Sequence, residues 1–399
     1  MSAWLVPIAV LAAQAAEPAP CRLVLCQAQA LAPFFAALRE TRAGGAPVHI
    51  IQIGDSHTAG DMITDGWRRR LQARYGNGGR GVLAAGRPYP GYLTWGVTAA
   101  QSRGWRANAS FGDAYSPDGP PLGLSGFTQT AERAGETLGL TADAPEQAFD
   151  RLVVCALAQP GAGTLLLRIG GTEQSWSLAA PLNKPECRTL DSDVAVESVS
   201  IVVAGAGVVS LTSIGAFRRG GGVALSNLGV SGSQLAHFGR TSDAVVGAEL
   251  AAYRPDLIVL AFGTNEGFSP VLSPDAYEAG LRAQIARLRW LAGRDVPILL
   301  LGAPDAATRT PGLPGTDCGD GWHVPQLLAD VRERQRRVAR DFDLAFWDGS
   351  AAMGGLCSSL AWRRDAMMRG DHVHFTRSGG DRLGAMIDAD LSRAAEEVR

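Results

Sequence analysis

No run in the chain approaches the ~20 consecutive apolar residues a membrane-spanning helix needs, so no stable membrane span is expected. Charge of one sign is not in excess either: 37 basic side chains stand against 39 acidic ones, a net charge of −2. That balance gives no sign of a nucleic-acid partner. Cys-x-x-Cys pairs and His-rich clusters are missing, which argues against a bound metal, and nothing calls for a cofactor. There is no internal repeat and no long low-complexity segment.

What is present is room for a large core. A chain of 399 residues, 46% of them hydrophobic, is long enough for one big domain or two. The stretch Ala3 to Ala16 is apolar but too short to cross a bilayer, and Ala13-Gln14-Ala15 fits the small-x-small pattern of a signal-peptidase site. Residues 1–16 are therefore expected to be a signal peptide, although no Lys or Arg precedes the apolar stretch. Pro18-Ala19-Pro20 before Cys21 does not make a lipobox, so a lipid anchor is not expected. The six cysteines are Cys21, Cys26, Cys155, Cys187, Cys318 and Cys357. An even number in an exported chain suggests disulfides, with fifteen possible connectivities. Neighbourhood favours 21–26, 155–187 and 318–357; free buried thiols are the alternative.

Two textures alternate along the chain. Residues ~30 to 95, and again ~225 to the end, alternate apolar strands with helical patterns, as an α/β domain does. Val48 to Ile53 reads as a buried strand, with a helix possible over Thr58 to Tyr75. Asp256 to Phe262 is continuously apolar, typical of a parallel strand buried on both faces. A helix follows with Ser273 as N-cap, Pro274 at its first position and Gly293 at its end. Pro297 to Leu301 and Leu344 to Trp347 are further strands, and Leu327, Val331 and Val338 mark the helix between them. This order predicts a doubly wound, three-layer αβα parallel sheet with its site at the carboxyl ends of the strands. Residues 96–222 are rich in Gly, Ser, Thr and Val, with short strand-like runs at Thr164 to Ile169, Ser198 to Ala204 and Val208 to Ile214. They predict a β-sandwich or jelly roll inserted into the α/β domain.

The chemistry lies in short blocks at strand ends. Gly54-Asp55-Ser56-His57 follows the first strand, so Ser56 would sit at a strand-to-helix turn with backbone N–H groups facing outward. A serine hydroxyl is a weak nucleophile and needs a base, which needs an orienting partner. The Asp371-x-x-His374 spacing offers both. Between them lie Asn227-Leu228-Gly229-Val230-Ser231-Gly232 and Gly263-Thr264-Asn265-Glu266. Four such blocks in this order resemble the SGNH (GDSL) hydrolase superfamily. Gly76-Asn77-Gly78-Gly79-Arg80-Gly81, Met353-Gly354-Gly355 and Asp371-His372-Val373-His374-Phe375-Thr376 narrow the resemblance to the peptidoglycan O-acetylesterases of Gram-negative periplasms. That family carries a carbohydrate-binding-module-like insertion between its serine and glycine blocks.

The resemblance implies that Ser56 is the nucleophile, His374 the general acid/base and Asp371 its orienting partner. It implies an oxyanion hole from the backbone N–H groups of Ser56 and Gly232 and the Asn265 side-chain amide. The reaction would release acetate from O-6 of N-acetylmuramic acid in O-acetylated peptidoglycan, in the periplasm. Gly380 departs from the family, where an aromatic is expected after Gly379. An acyltransferase, an acetyl esterase for another polysaccharide or a lipid, and an inactive glycan-binding protein are the competing functions. Among neighbouring residues, Asp55 is expected to be structural, His57 and His372 structural or substrate-adjacent, and Trp95, Trp105 and Trp176 part of the core, with sugar stacking as their alternative.

Overall fold

The computed structural model describes residues 24–398; the expected signal peptide and Cys21 lie outside them. The central sheet forms around Val48–Gly54, a strand buried at every position. It is flanked in parallel register by Val223–Gly229 and Leu257–Ala261. Ile298–Gly302 and Ala345–Asp348 continue the parallel order beyond Leu257–Ala261. Taken in chain order, the five parallel strands lie 2-1-3-4-5, the flavodoxin-like arrangement. The expectation of a purely parallel sheet needs one correction. Leu25–Cys26 pairs antiparallel with Ala345–Asp348 and makes the sheet mixed. Two residues carry no periodicity, so this edge leaves no local pattern to read.

Apolar stripes place helices on both faces. On one, Ala32–Arg42, Met62–Tyr75 and Arg377–Glu397 bury Phe34, Phe35, Trp67, Leu383 and Ile387 against strand residues such as Ile50 and Val259. On the other, Asp243–Tyr253, Pro274–Ala292 and Gln326–Asp341 bury Val246, Leu281, Ile285 and Val331 against Ile51, Ile258 and Leu300. Each fully buried Leu or Ile contributes roughly 1.5–3 kcal/mol, before the ordering entropy is subtracted. The helix Pro274–Ala292 starts on its proline and ends where Gly293 turns left-handed at φ 62°. Gly380 finds its reason in the packing of Arg377–Glu397 on Met62–Tyr75. A Cβ there would come within 2.4 Å of the Met62 Cβ.

The helix expected over Thr58 to Tyr75 is two helices, Ser56–Ala59 and Met62–Tyr75. Asp61 breaks it by adopting φ 52°. Its fully buried carboxylate accepts from Thr64 Oγ1, Arg68, Arg80 at 2.9 Å and the backbone N of Trp95 at 2.8 Å. Burial alone would raise this carboxyl, but Arg68 and Arg80 outweigh that and hold it below its ordinary value. Removing both arginines would leave an uncompensated buried charge, at a cost of roughly 3–5 kcal/mol or more.

Between the first and second parallel strands the chain builds two antiparallel sheets. One runs Thr172–Ser177, Thr164–Ile169, Ser198–Val203, Thr137–Ala142, Val97–Gln101; the other runs Lys184–Val196, Phe149–Ala158, Val209–Phe217, Phe127–Ala131, Arg106–Ala109. A single apolar core contains Leu167, Ile201 and Leu140 from the first with Val154, Leu211 and Ile214 from the second. Gly79–Leu83, ahead of the expected boundary at residue 96, pairs antiparallel with Val209–Phe217. The short, glycine-rich Gly-Arg-Gly-Val-Leu run carries little strand signal. Glu249 seams the two parts together: fully buried on helix Asp243–Tyr253, it accepts from Leu124 N, Thr212 Oγ1 and Ser213 Oγ.

Cys155–Cys187 joins register partners on adjacent strands, and Cys318–Cys357 ties the hairpin Gly315–Pro325 to the segment before helix Ser358–Arg364. Cys26 is also disulfide-bonded. No helix among the described residues is long and apolar enough to cross a membrane.

Candidate active site

The buried strand Val48–Gly54 ends where its two parallel neighbours also end, and Ser56 opens the short helix that follows. Asp55, 1% exposed, caps that helix by accepting from His57 N at 2.9 Å. Burial pushes the Asp55 carboxyl up to about 7, against the backbone hydrogen bond that favours its charged form. The Ser56 hydroxyl is thereby held half-exposed at the carboxyl edge of the sheet, where an αβα fold opens its crevice.

The histidine arrives from the far end of the chain. Ser56 Oγ lies 3.0 Å from His374 Nε2, across 318 residues of sequence. His374 Nδ1 lies 2.9 Å from Asp371 Oδ2. A carboxylate can only accept, so Nδ1 carries the proton and Nε2 is free to accept from the serine hydroxyl. The other oxygen of Asp371 accepts from the backbone N–H groups of Val373 and His374, at 3.0 and 2.9 Å. Partial burial pushes the Asp371 carboxyl up, but these hydrogen bonds prevail and hold it below its ordinary value. One carboxylate therefore shapes the loop and fixes the imidazole. A hydroxyl bonded to an imidazole oriented in this way can lose its proton while it attacks an ester carbonyl.

His57 latches the two ends. Its Nε2 donates to the Val373 carbonyl at 2.9 Å, and its Nδ1 faces Thr264 Oγ1 at 3.4 Å. Burial lowers its pKa to about 4, so the ring is neutral. Its part as a clasp between the Ser56 turn and the Asp371–His374 loop was not legible beforehand. His372 packs instead against Trp322, with ring centroids 3.8 Å apart and the planes tilted by 33°.

Gly232 and Asn265 follow the two neighbouring strands, and the polar contacts of Asn265 hold those two segments to each other rather than to Ser56. Asn265 Nδ2 donates to the Ser233 carbonyl at 2.9 Å, and Gln234 Nε2 donates to the Asn265 carbonyl at 3.2 Å. Glu266, buried beside them, accepts from Leu235 N and Gly263 N; burial pushes its carboxyl up to about 7. Gly232 has φ 77°.

A pocket of about 260 Å³ opens over the serine, lined by Ser56, His57, His374, Tyr89, Leu93 and Arg369 among others. Ser231 forms part of its wall, whereas Gly232 and Asn265 do not line it. Tyr89, Leu93 and Arg369 were not singled out from sequence. The available signal for the first was Pro88-Tyr89-Pro90-Gly91, an aromatic held between prolines in a loop. Of the three tryptophans assigned to the core, Trp105 and Trp176 are buried; Trp95 is partly exposed and carries the Arg377 guanidinium over its ring at 4.1 Å. Among the described residues no group of three or more His, Cys, Asp or Glu side chains could hold a metal ion.

Residues 214–382 match the GDSL-like Lipase/Acylhydrolase family, a span that includes Gly232, Asn265, Asp371 and His374. Among solved structures, a peptidoglycan O-acetylesterase is similar to 94% of this chain and 100% of its own, at 26% identity and a TM-score of 0.77. A family two carbohydrate esterase from Clostridium thermocellum, solved with cellohexaose, is 11% identical, with 78% of this chain and 98% of that one covered and a TM-score of 0.31. A salicylyl-acyltransferase from a tetracycline biosynthetic pathway is 13% identical, with 78% and 97% covered and a TM-score of 0.32. No curated protein matches the chain.

Proposed function

Because the chain carries a GDSL-like lipase/acylhydrolase domain on an SGNH hydrolase fold, we propose that it is a serine esterase that removes O-acetyl groups from peptidoglycan, at O-6 of N-acetylmuramic acid. The observation that carries this reading is the continuous relay Ser56 Oγ, His374 Nε2, His374 Nδ1, Asp371 Oδ2, with separations of 3.0 and 2.9 Å, opening on a pocket. The glycan assignment rests on the similarity to a peptidoglycan O-acetylesterase over nearly the full length of both chains.

In the proposed cycle His374 takes the Ser56 proton as Oγ attacks the acetyl carbonyl. The tetrahedral oxyanion is met by the backbone N–H groups of Ser56 and Gly232 and by Asn265. One hydrogen of Asn265 Nδ2 is committed to Ser233, which aims the amide and leaves its second hydrogen for the oxyanion. Collapse expels the sugar oxygen, which takes the proton from His374 and leaves acetyl-Ser56. Water, deprotonated by the same imidazole, then releases acetate and restores the serine.

We assign 30–95 and 225–399 to the hydrolase domain and 96–222 to an inserted β-sandwich of the carbohydrate-binding-module kind, with Gly79–Leu83 lending a strand to it. Export to the periplasm fits the disulfides. The test is acetate release by the purified protein from O-acetylated peptidoglycan, beside acetylated xylan and a short-chain acetyl ester. Peptidoglycan is expected to give the highest kcat/KM of the two polymers; a preference for xylan would overturn the substrate assignment.

A further inference from the structure

The loop that walls the Ser56 pocket has a second face. Tyr89 lines the pocket over Ser56 and also lines a separate cleft of about 360 Å³ on the β-rich part, together with Arg87, Gln101, Trp105 and Gln129. Tyr89 is fixed from behind: its ring packs on Tyr92 and Phe127 with centroids 5.4 and 5.7 Å apart. The cleft is thus separated from the serine by the thickness of one braced loop.

Its floor holds an unspent hydrogen-bonding group. Gln129 is 1% exposed, and its Nε2 donates to Gln101 Oε1 at 3.1 Å. That bond fixes which end of the amide faces which way, and it leaves Gln129 Oε1 buried with no partner among the described residues. An unpaired buried carbonyl costs roughly 1–3 kcal/mol. Gln101 Oε1 is already taken by Gln129 and by the backbone N of Arg87. Its amide nitrogen donates to no described residue. The Arg87 side chain is exposed, and its guanidinium pairs with no carboxylate among the described residues.

We propose that this cleft is a glycan subsite, occupied by a sugar unit next in the chain to the one whose acetyl group sits over Ser56. The proposal rests on the esterase reading above. A buried amide acceptor beside an available amide donor matches a hydroxyl or acetamido group, each of which both gives and takes a hydrogen bond. Tyr89, shared by both cavities, offers a flat apolar surface for a sugar ring between them, and Arg87 offers a positive rim for a sugar carboxylate. A peptide substituent of the polymer, bound through Arg87 alone, would not use the two glutamines.

Affinity of the full chain carrying Ser56→Ala for a peptide-free N-acetylglucosamine–N-acetylmuramic acid tetrasaccharide without O-acetyl groups tests this by calorimetry. Adding Gln129→Leu or Gln101→Ala should each weaken binding about tenfold, the effect of one lost hydrogen bond. Gln101→Ala removes a partly exposed side chain, so it carries the test should Gln129→Leu fail to fold. Unchanged affinity in the folded variants overturns the subsite, and so does binding of the free stem peptide in place of the saccharide. Because no turnover is read, the two readings fail separately. Saccharide binding by a protein that cleaves no acetyl ester sinks the esterase reading alone. Cleavage with an affinity indifferent to both glutamines sinks only the subsite.

Discussion

The serine half and the histidine half of the site are built from opposite materials. Ser56 follows a strand buried at all seven positions and is flanked by Asp55 and His57, with Glu266 on the neighbouring strand-end segment; burial pushes every one of these three toward its uncharged form. Asp371 and His374 have side chains 46% and 39% exposed, and hydrogen bonds hold the Asp371 carboxyl toward its charged form. The dry half is positioned by packing and backbone; the wet half is positioned by one carboxylate that accepts three hydrogen bonds within four residues. The division suits the chemistry. A nucleophile needs a fixed place, and a proton carrier needs a partner whose charge stabilises the imidazolium it becomes.

Breaking each half should therefore have a different signature. Ser56→Ala should lower kcat on a small acetyl ester by roughly 10⁴-fold or more, with the unfolding midpoint nearly unchanged, since a half-exposed hydroxyl is all that is lost. Near-native turnover would remove Ser56 from the mechanism. Asp371→Asn should cost roughly 10⁴-fold in kcat, because the amide presents the wrong group to His374 Nδ1, again with little loss of stability. Full activity in this variant would mean that the carboxylate orients nothing.

On the dry side, activity and stability should fall together. In Gly54→Ala the new Cβ would lie 2.3 Å from Thr58 Oγ1 and 2.5 Å from the Ala261 carbonyl. Overpacking of this kind costs about 1–3 kcal/mol, read by chemical denaturation, with a loss of kcat alongside as Ser56 shifts. A stable but inactive variant would put the packing argument in doubt.

A further effect concerns pH and leaves the site's chemistry aside. His57 is held neutral, with its pKa lowered from 6.5 to about 4 by burial. The neutral group stabilises the fold above pH 6.5, and that contribution drains away as pH falls toward 4, because the unfolded chain binds the proton first. His57→Gln removes this titration. The stability gap between wild type and variant should narrow by up to about 3 kcal/mol between pH 7 and pH 4, as measured by denaturant unfolding at several pH values. A constant gap would mean that His57 is not held neutral.

The same contrast governs how much was legible in the sequence. Four of the five parallel strands were legible because burial on both faces writes continuous apolar runs such as Leu257–Ala261, and Pro274 and Gly293 marked their helix at both ends; Val223–Gly229, broken by Ser226, Asn227 and Gly229, was read only as a motif block. Ser56, His374 and Asp371 were found as motifs, and the structure brings those three side chains into contact. What escaped depends on non-local partners. The break at Asp61 is set by Arg68, Arg80 and Trp95, the pairing of Gly79–Leu83 by a strand some 130 residues on, and the His57 clasp by the Val373 carbonyl. None of these writes a local pattern. Tyr89 and Gln129 belong to the same class, since a pocket wall is made where separate segments converge.

The central claim is an acetyl group carried on Ser56, and rapid acid quench during turnover of an activated acetyl ester, followed by peptide mass spectrometry, tests it most directly. The peptide containing Ser56 should gain the mass of one acetyl group in the active chain, and no other peptide should gain it. An acetyl group found on another residue, with turnover surviving Ser56→Ala, would contradict the account.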